Sequence, residues 1–135
     1  VLDRKPEDIS LQAGRMKGGT KTRAGKDRVV PIHSEIRPLV EARLSEGGPR
    51  WLSYKGRVCS QTQYRVFWAD IMKALNMEHT PHECRHTFET QLEIAGANRK
   101  CIDLLMGHVS KDTVNRFYNH KTLNELKTTI ELIEI

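Results

Sequence analysis

The sequence predicts an α+β fold, mainly α-helical, with a small antiparallel β-hairpin or sheet near the N-terminus. Two extended segments flank a glycine-containing turn near the start, and most of the chain after Ile32 has apolar residues at helical spacing. With 135 residues, 38% of them hydrophobic, the chain is long enough to form a core without disulfides and suits a single domain, residues 1–135.

A basic hairpin is predicted over residues 9–32. Residues 10–17 form a weak strand, residues 18–25 the turn, and residues 28–32 the returning strand. Six basic residues against Asp27 give this part of the chain a balance of +5, which equals the net charge of the whole chain. The six are Arg15, Lys17, Lys21, Arg23, Lys26 and Arg28. A basic stripe favours a polyanion such as nucleic acid, although a solvated lysine-rich hairpin is the alternative on composition alone.

A first helix and a short extended segment follow the hairpin. Ser34 is a suitable cap for a helix that ends at about Leu44, and Pro38 is tolerated because it lies near the first turn. Residues 51–54 read as a short strand that turns at Lys55-Gly56.

The second helix is predicted from the capping box formed by Ser60 and Gln63. Its apolar residues recur at helical spacing and predict a face that packs in the core rather than one that stacks on nucleic-acid bases. The members of this stripe are Tyr64, Phe67, Trp68, Ile71, Met72 and Leu75.

The remaining helices are predicted from their start and stop signals. Thr80-Pro81 begins the next helix, which ends at Gly96, and residues 98–106 form another that Gly107 stops. A short helix is expected over residues 110–118 and a last one over residues 122–133. The last helix has an apolar stripe, for which packing on its own domain is one expectation.

Cysteine usage and hydropathy favour a cytoplasmic protein with no membrane partner. Cys59, Cys84 and Cys101 form no C-x-x-C pair, which predicts reduced and mostly buried thiols. No apolar run approaches the ~18 residues that span a bilayer, and no signal peptide is apparent.

The motif HECRH, residues 82–86, matches the H-E-x-x-H pattern of zinc peptidases. Two features oppose a metal site. Glu83 completes a T-x-x-E capping box with Thr80, and Arg85 shares a helix face with His82, where its permanent positive charge would repel a dication. No metal and no cofactor are therefore expected.

The same motif also reads as H-x-x-R-H, a phosphate-binding pattern. His82 and Arg85, three residues apart near a helix N-terminus, present an imidazole and a guanidinium fork to one anion. Without further residues that point to a phosphate site, the pair would be interpreted as a surface His and Arg on a solvated helix face. Further residues do converge: His108 follows the helix-ending Gly107, and Tyr118 lies ten residues beyond it.

Four pieces in this order and at these separations resemble the catalytic domain of the tyrosine recombinases, the phage and transposon integrase family. They are TKT at 20–22 in the basic hairpin closed by RVVPI at 28–32, TPHECRHTF at 80–88, MGH at 106–108 and FY at 117–118.

The resemblance implies a role for each matching residue. Tyr118 would be the nucleophile that forms a 3′-phosphotyrosine, and Arg85 would bind the non-bridging phosphate oxygens. His82 and His108 would bond to the same oxygens, and His82 would take the tyrosine proton. Lys21 would protonate the leaving 5′-oxygen.

The family pattern also implies partners and missing parts. Double-stranded DNA would be the substrate, with Arg23 and Lys26 as DNA-binding residues and a homotetramer on DNA as the active assembly. In that tetramer the last helix would dock on a neighbouring protomer, which is the alternative to packing on its own domain. The family's first catalytic arginine and its DNA-clamping domain would lie before Val1, so the chain reads as a truncated catalytic domain, monomeric and weakly active alone. A zinc peptidase, a non-catalytic DNA-binding module and a type IB topoisomerase are the alternatives.

Overall fold

The computed structural model describes residues 4–19, 28–108 and 123–135. Within these ranges the short strands are β1 Ile9–Ser10, β2 Arg15–Gly18, β3 Arg28–Pro31, β4 Ser53–Tyr54 and β5 Arg57–Val58. The α-helices are α1 Arg37–Ser45, α2 Gln61–Ala74, α3 Glu83–Ile94, α4 Arg99–Met106 and α5 Leu123–Ile130. The predicted α+β class, mainly helical with a small antiparallel sheet near the N-terminus, is confirmed.

The N-terminal sheet has three antiparallel strands in the order β1-β2-β3. Met16 pairs with Val30 on one side and with Ile9 on the other. The single strand predicted over residues 10–17 is wrong, because a turn interrupts it. Gly14 adopts a positive φ of 61° there, and its N–H donates to the carbonyl of Leu11 at 3.1 Å. Glycine tolerates this left-handed backbone without steric cost.

Helix α4 lies at the centre of the core. It contacts α3, α5 and β3, and most of its residues are buried. The side chains of Leu92 from α3, Ile102 from α4 and Leu126 from α5 are the largest that are fully buried. The helix predicted over residues 98–106 with a stop at Gly107 is confirmed, and the Asn98 side chain caps it by accepting from the Lys100 N–H at 2.9 Å.

The C-terminal helix α5 packs on its own chain. Leu126 and Ile130 are buried in the same cluster as α4, and Ile133 packs against that cluster. Of the two predicted alternatives, packing on the own domain is therefore the one that this structure adopts.

Helix α1 begins at Arg37, three residues after the predicted cap Ser34. The prediction of Ser34 as a side-chain cap is wrong. Its hydroxyl instead donates to the carboxylate of Glu131 at 2.6 Å. The side chain therefore bonds to a residue distant in the chain and not to the N–H groups at the start of α1.

Helix α2 has the predicted capping box, with Ser60 Oγ accepting from the Gln63 N–H at 3.1 Å. The predicted core packing of its apolar stripe is wrong. No residue of α2 is buried, and Leu75, just after the helix, is 59% exposed. Trp68 and Met72 line a cavity of about 950 Å³ between α2, α3 and the sheet. Periodicity identified the apolar face correctly, but the described residues do not cover it.

The other composition-based expectations concern thiols and membranes. Cys59 and Cys101 are buried and Cys84 is exposed, which confirms the prediction of mostly buried free thiols. In the part of the chain that the structure describes, no helix has the length and hydropathy needed to cross a membrane.

Candidate active site

The start of α3 is built on the contact between Thr80 and Glu83. The Thr80 N–H donates to the Glu83 carboxylate, and the Glu83 N–H donates back to the Thr80 carbonyl at 3.1 Å. Hydrogen bonds from the backbone N–H and then the hydroxyl of Thr80 lower the pKa of Glu83. The helix begins at Glu83, two residues later than predicted, because residues 81–82 form a turn. The structural role predicted for Glu83 is thus observed.

The two histidines of HECRH are neighbours on adjacent turns. The rings of His82 and His86 lie perpendicular, with their centroids 4.9 Å apart. Across residues 4–19, 28–108 and 123–135, no group of three or more His, Cys, Asp or Glu side chains is placed to hold a metal ion. The carboxylate of Glu83 is bound to Thr80, as the capping interpretation of this motif predicted.

Arg85 and His108 meet although 23 residues separate them in the chain. Arg85 Nη2 lies 3.0 Å from His108 Nε2 and also donates to the carbonyl oxygen of Met106. Arg85 is half-buried, whereas His108 is exposed on one side. The pair therefore presents a fixed positive charge and an imidazole at the end of α4, accessible to an anion.

The end of α4 fixes the position of His108. Gly107 adopts a left-handed conformation with φ 71°, and this turns the chain so that the His108 N–H donates to the Asp103 carbonyl at 2.9 Å. Backbone closure of this kind satisfies carbonyls that a helix end leaves unpaired. The imidazole is thus held close to Arg85 by a helix terminus rather than by a free loop.

The sequence reasoning missed Glu89 and Arg99, which lie next to the pair formed by Arg85 and His108. Glu89 Oε1 lies 3.8 Å from His108 Nδ1 and 3.2 Å from Arg99 Nη2. Arg99 Nε in turn donates to Asp103 at 3.0 Å. The i,i+4 spacings of Arg85 with Glu89 and of Arg99 with Asp103 were visible in the sequence and place each pair on one helix face. Only the fold brings the two pairs together.

Arg28 has a contact that the charge count did not indicate. Its Nε donates to the carbonyl of Leu105 at 2.9 Å, which ties β3 to the last turn of α4. One charge of the basic stripe therefore supports the segment that carries Met106 and His108.

Three predicted site residues are described and four are not. His82 lies one turn before Arg85 at the start of α3 and is exposed. Tyr118, Lys21, Arg23 and Lys26 lie outside the described residues. The structure thus brings Arg85 and His108 together, and the roles of all seven residues stay predictions.

Comparison with known proteins gives consistent matches. A family model described as the phage integrase family matches residues 3–125. The chain is 32% identical over 127 residues to a tyrosine recombinase XerC of Pelobacter propionicus, which covers 88% of this chain and 41% of that protein. It is 28% identical over 134 residues to a tyrosine recombinase XerD of Vibrio vulnificus, covering 90% and 43%.

A third similar protein comes from an archaeon. The chain is 30% identical over 136 residues to a tyrosine recombinase XerA of Thermococcus kodakarensis, with 94% of this chain and 47% of that protein covered. The chain therefore spans less than half the length of each of these three relatives.

Proposed function

This chain belongs to the phage integrase family, and we propose on that basis that it forms the catalytic part of a tyrosine-type site-specific recombinase, which cleaves and rejoins DNA strands. The observation that carries the proposal is the meeting of Arg85 and His108, whose nitrogens Nη2 and Nε2 are 3.0 Å apart. Arg85 belongs to the H-x-x-R motif in α3, and His108 belongs to the M-G-H motif at the end of α4, so the fold brings the two motifs into contact. A guanidinium beside an imidazole is suited to bind a phosphodiester.

The proposed first step forms a covalent bond between protein and DNA. The oxygen of Tyr118 attacks the scissile phosphorus, and the bond from phosphorus to the 5′-oxygen breaks. His82 takes the phenolic proton and Lys21 supplies a proton to the leaving oxygen, which becomes a 5′-hydroxyl. The products are a 3′-phosphotyrosine and a free strand end.

The reverse reaction rejoins the DNA. A 5′-hydroxyl from a partner strand gives its proton to Lys21 and attacks the phosphotyrosine. The bond from phosphorus to the Tyr118 oxygen breaks, and this oxygen recovers its proton from His82. Because the covalent ester keeps the energy of the phosphodiester bond, ligation needs no ATP.

Arg85 and the histidines act on the charge of the transition state. Negative charge builds on the non-bridging oxygens as the phosphorus becomes five-coordinate, and donors already in place stabilise it without rearrangement. Arg85 supplies a charge that cannot be lost by deprotonation. His108 and His82 would donate to the same oxygens.

The proposed partner is double-stranded DNA, held by Arg23 and Lys26 of the hairpin among others. We place the reaction in the cytoplasm, with a homotetramer on DNA as the active assembly. The family's first arginine and a DNA-clamping domain would complete that assembly, and residues 1–135 alone would be monomeric and slow. The activity should therefore be measured on the protein expressed from its complete reading frame, referred to below as the intact protein.

The test is covalent capture on a nicked suicide DNA substrate in EDTA, read on a denaturing gel. We expect the intact protein to form a protein–DNA adduct and Tyr118→Phe to form none, because only the phenol oxygen can make the ester. Tyr54→Phe is the matched control: Tyr54 is exposed, and its ring contact with Phe67 survives loss of the hydroxyl.

Other outcomes would separate the alternatives. An adduct that persists in Tyr118→Phe would reject the assignment of the nucleophile. Salt-dependent DNA binding without any adduct would favour a non-catalytic DNA-binding module. Relaxation of supercoiled DNA without exchange between two sites would favour a type IB topoisomerase.

A further inference from the structure

Glu89 occupies a position that the proposed chemistry does not use. It lies one turn after Arg85 on α3, and its side chain is only 20% exposed. Its Oε1 is 3.8 Å from His108 Nδ1. The carboxylate therefore lies behind the imidazole, on the opposite side of the ring from Arg85.

The contact with Arg85 decides which nitrogen of His108 carries the proton in this state. A guanidinium N–H can only donate, so His108 Nε2, 3.0 Å from Arg85 Nη2, must accept. A neutral imidazole that accepts at Nε2 has its proton on Nδ1. That N–H faces Glu89 at 3.8 Å, which is longer than a hydrogen bond, and the contact becomes an ion pair when the ring is protonated.

Binding of a phosphate changes the hydrogen-bonding role of His108 Nε2 from acceptor to donor but leaves the role of Nδ1 unchanged. To donate to a phosphate oxygen, Nε2 needs a proton. The neutral tautomer with the proton on Nε2 would turn the Nδ1 lone pair toward the Glu89 carboxylate, and the two would repel. With protons on both nitrogens, Nδ1–H keeps its acceptor, and Nε2–H exchanges its contact with Arg85 for one with the phosphate oxygen. Among the described residues, Arg85 and Glu89 are the charged groups in contact with this ring.

Glu89 is itself held in place by Arg99. Arg99 Nη2 lies 3.2 Å from Glu89 Oε1, and the same guanidinium contacts Asp103 at 3.0 Å and Glu93 through Nη1. A carboxylate anchored on one side has less freedom to move when the imidazole reorients. Partners of this kind, which orient a histidine through its second nitrogen, are a recurrent device at functional sites.

We propose that Glu89 is a positioning residue that keeps a proton on His108 Nδ1 and thereby directs Nε2 toward Arg85 and the scissile phosphate. The inference rests on the proposed function for the phosphate, but the orientation of the imidazole can be measured without DNA cleavage. Glu89 would not touch the reacting atoms and would act only through His108.

The variants that test this are Glu89→Gln and Glu93→Gln. Both remove one negative partner of Arg99 from the same face of α3, but only Glu89 approaches His108. Glu93→Gln is thus a matched control for the loss of an ion pair. Equal thermal unfolding midpoints for the two variants would show that differences between them do not come from folding.

The first measurement is the ¹⁵N spectrum of the His108 side chain in the intact protein without DNA, assigned with His108→Gln. We expect wild type and Glu93→Gln to show the Nδ1-protonated neutral form, and Glu89→Gln to show a mixture of tautomers. An unchanged spectrum in Glu89→Gln overturns the inference, whatever the rate of cleavage.

The second measurement is single-turnover cleavage of the suicide substrate. We expect Glu89→Gln to be about 10-fold slower at saturating DNA, with the DNA concentration for half-saturation unchanged, and Glu93→Gln to match wild type. A Glu89→Gln rate equal to that of Glu93→Gln rejects the positioning role. If wild type forms no adduct, the proposed function fails, and the spectrum alone then decides whether Glu89 orients His108.

Discussion

At the scale of single residues, the geometry of Arg85 explains how an anion site is prepared. The contacts of Arg85 with the Met106 carbonyl and with His108 both use Nη2. A guanidinium has further N–H donors on Nε and Nη1. Among the described residues these donors have no hydrogen-bond partner, and we expect them to bind the phosphate oxygens. Preorganisation of this kind lowers the cost of forming the charged transition state.

Arg85→Lys tests that geometry. Lysine keeps the charge but replaces the planar fork by a single ammonium, which cannot contact Met106, His108 and two phosphate oxygens together. We expect the chemical step at saturating DNA to slow by about 100-fold or more, while DNA affinity at a given salt concentration changes little. Single-turnover cleavage by the intact protein measures the first and a salt titration of binding the second.

The control is Arg37→Lys on α1. Arg37 is exposed and pairs with Glu41 at 3.0 Å, four residues along the same helix. The Arg37→Lys variant should cleave DNA at the wild-type rate. A rate for Arg85→Lys that equals the rate for Arg37→Lys would contradict the role proposed for the guanidinium fork.

At the scale of secondary-structure elements, α4 is the support for the site. The helix is buried on most sides, and its end carries both the Met106 carbonyl that holds Arg85 and the turn that holds His108. Arg28 from β3 braces the same end through the Leu105 carbonyl. Displacement of this helix end would therefore move the acceptor of Arg85 and the imidazole together.

Gly107→Ala tests this support, with Gly96→Ala as the matched control. Both glycines follow a helix and have φ 71°, a conformation that costs an alanine about 1 kcal/mol or slightly more. A Cβ on Gly96 would meet no atom within 4 Å, so that variant has only the backbone cost. We expect similar losses of stability in urea unfolding but slower cleavage only in Gly107→Ala. Equal cleavage rates in the two variants would show that the end of α4 does not position the site.

At the scale of the whole molecule, the C-terminal segment is joined to the turn after the N-terminal sheet. His33 Nδ1 accepts from the Glu35 N–H at 3.1 Å, so its Nε2 donates to the Ile133 carbonyl at 3.0 Å. Glu131 accepts from the Ser34 N–H at 2.8 Å and from the Ser34 hydroxyl at 2.6 Å. These contacts join residues about 100 positions apart and hold α5 against β3, beside the helix that carries the site.

Glu131→Gln tests the joining of the two ends. The hydroxyl and then the N–H of Ser34 lower the pKa of Glu131 in the folded protein. A lowered carboxyl pKa adds stability above the unfolded-state value of about 4.3, and this stability is lost as pH falls through the folded-state pKa. The side chain is 38% exposed, so we expect a loss of only about 0.5–1 kcal/mol at neutral pH.

The measurement is urea unfolding of the intact protein at a series of pH values. The difference between wild type and Glu131→Gln should begin to shrink as pH falls below the unfolded-state value of about 4.3 and should vanish as pH falls through the lower pKa of the folded state. Glu134→Gln, a neighbouring exposed glutamate, is the control and should follow wild type throughout. A Glu131→Gln difference that is the same at every pH would contradict the charge-assisted bonds to Ser34.

The sequence by itself determined the features that depend on a few adjacent residues. The capping box of Ser60 and Gln63 and the stop at Gly107 were read correctly, because each involves atoms within one helical turn. The motif spacing also singled out Arg85 and His108 before any contact between them was known. Local chemistry was enough for the fold class and for the identity of these candidates.

Only the tertiary structure decided which groups meet. Ser34 bonds to Glu131 instead of capping α1, and Glu89 stands behind His108 because α3 packs on α4. Periodicity showed that α2 has an apolar face but could not show that the described residues leave it uncovered. The reason is physical: caps and periodicity act over a few residues, whereas burial and the partner of a charged group depend on segments distant in the chain.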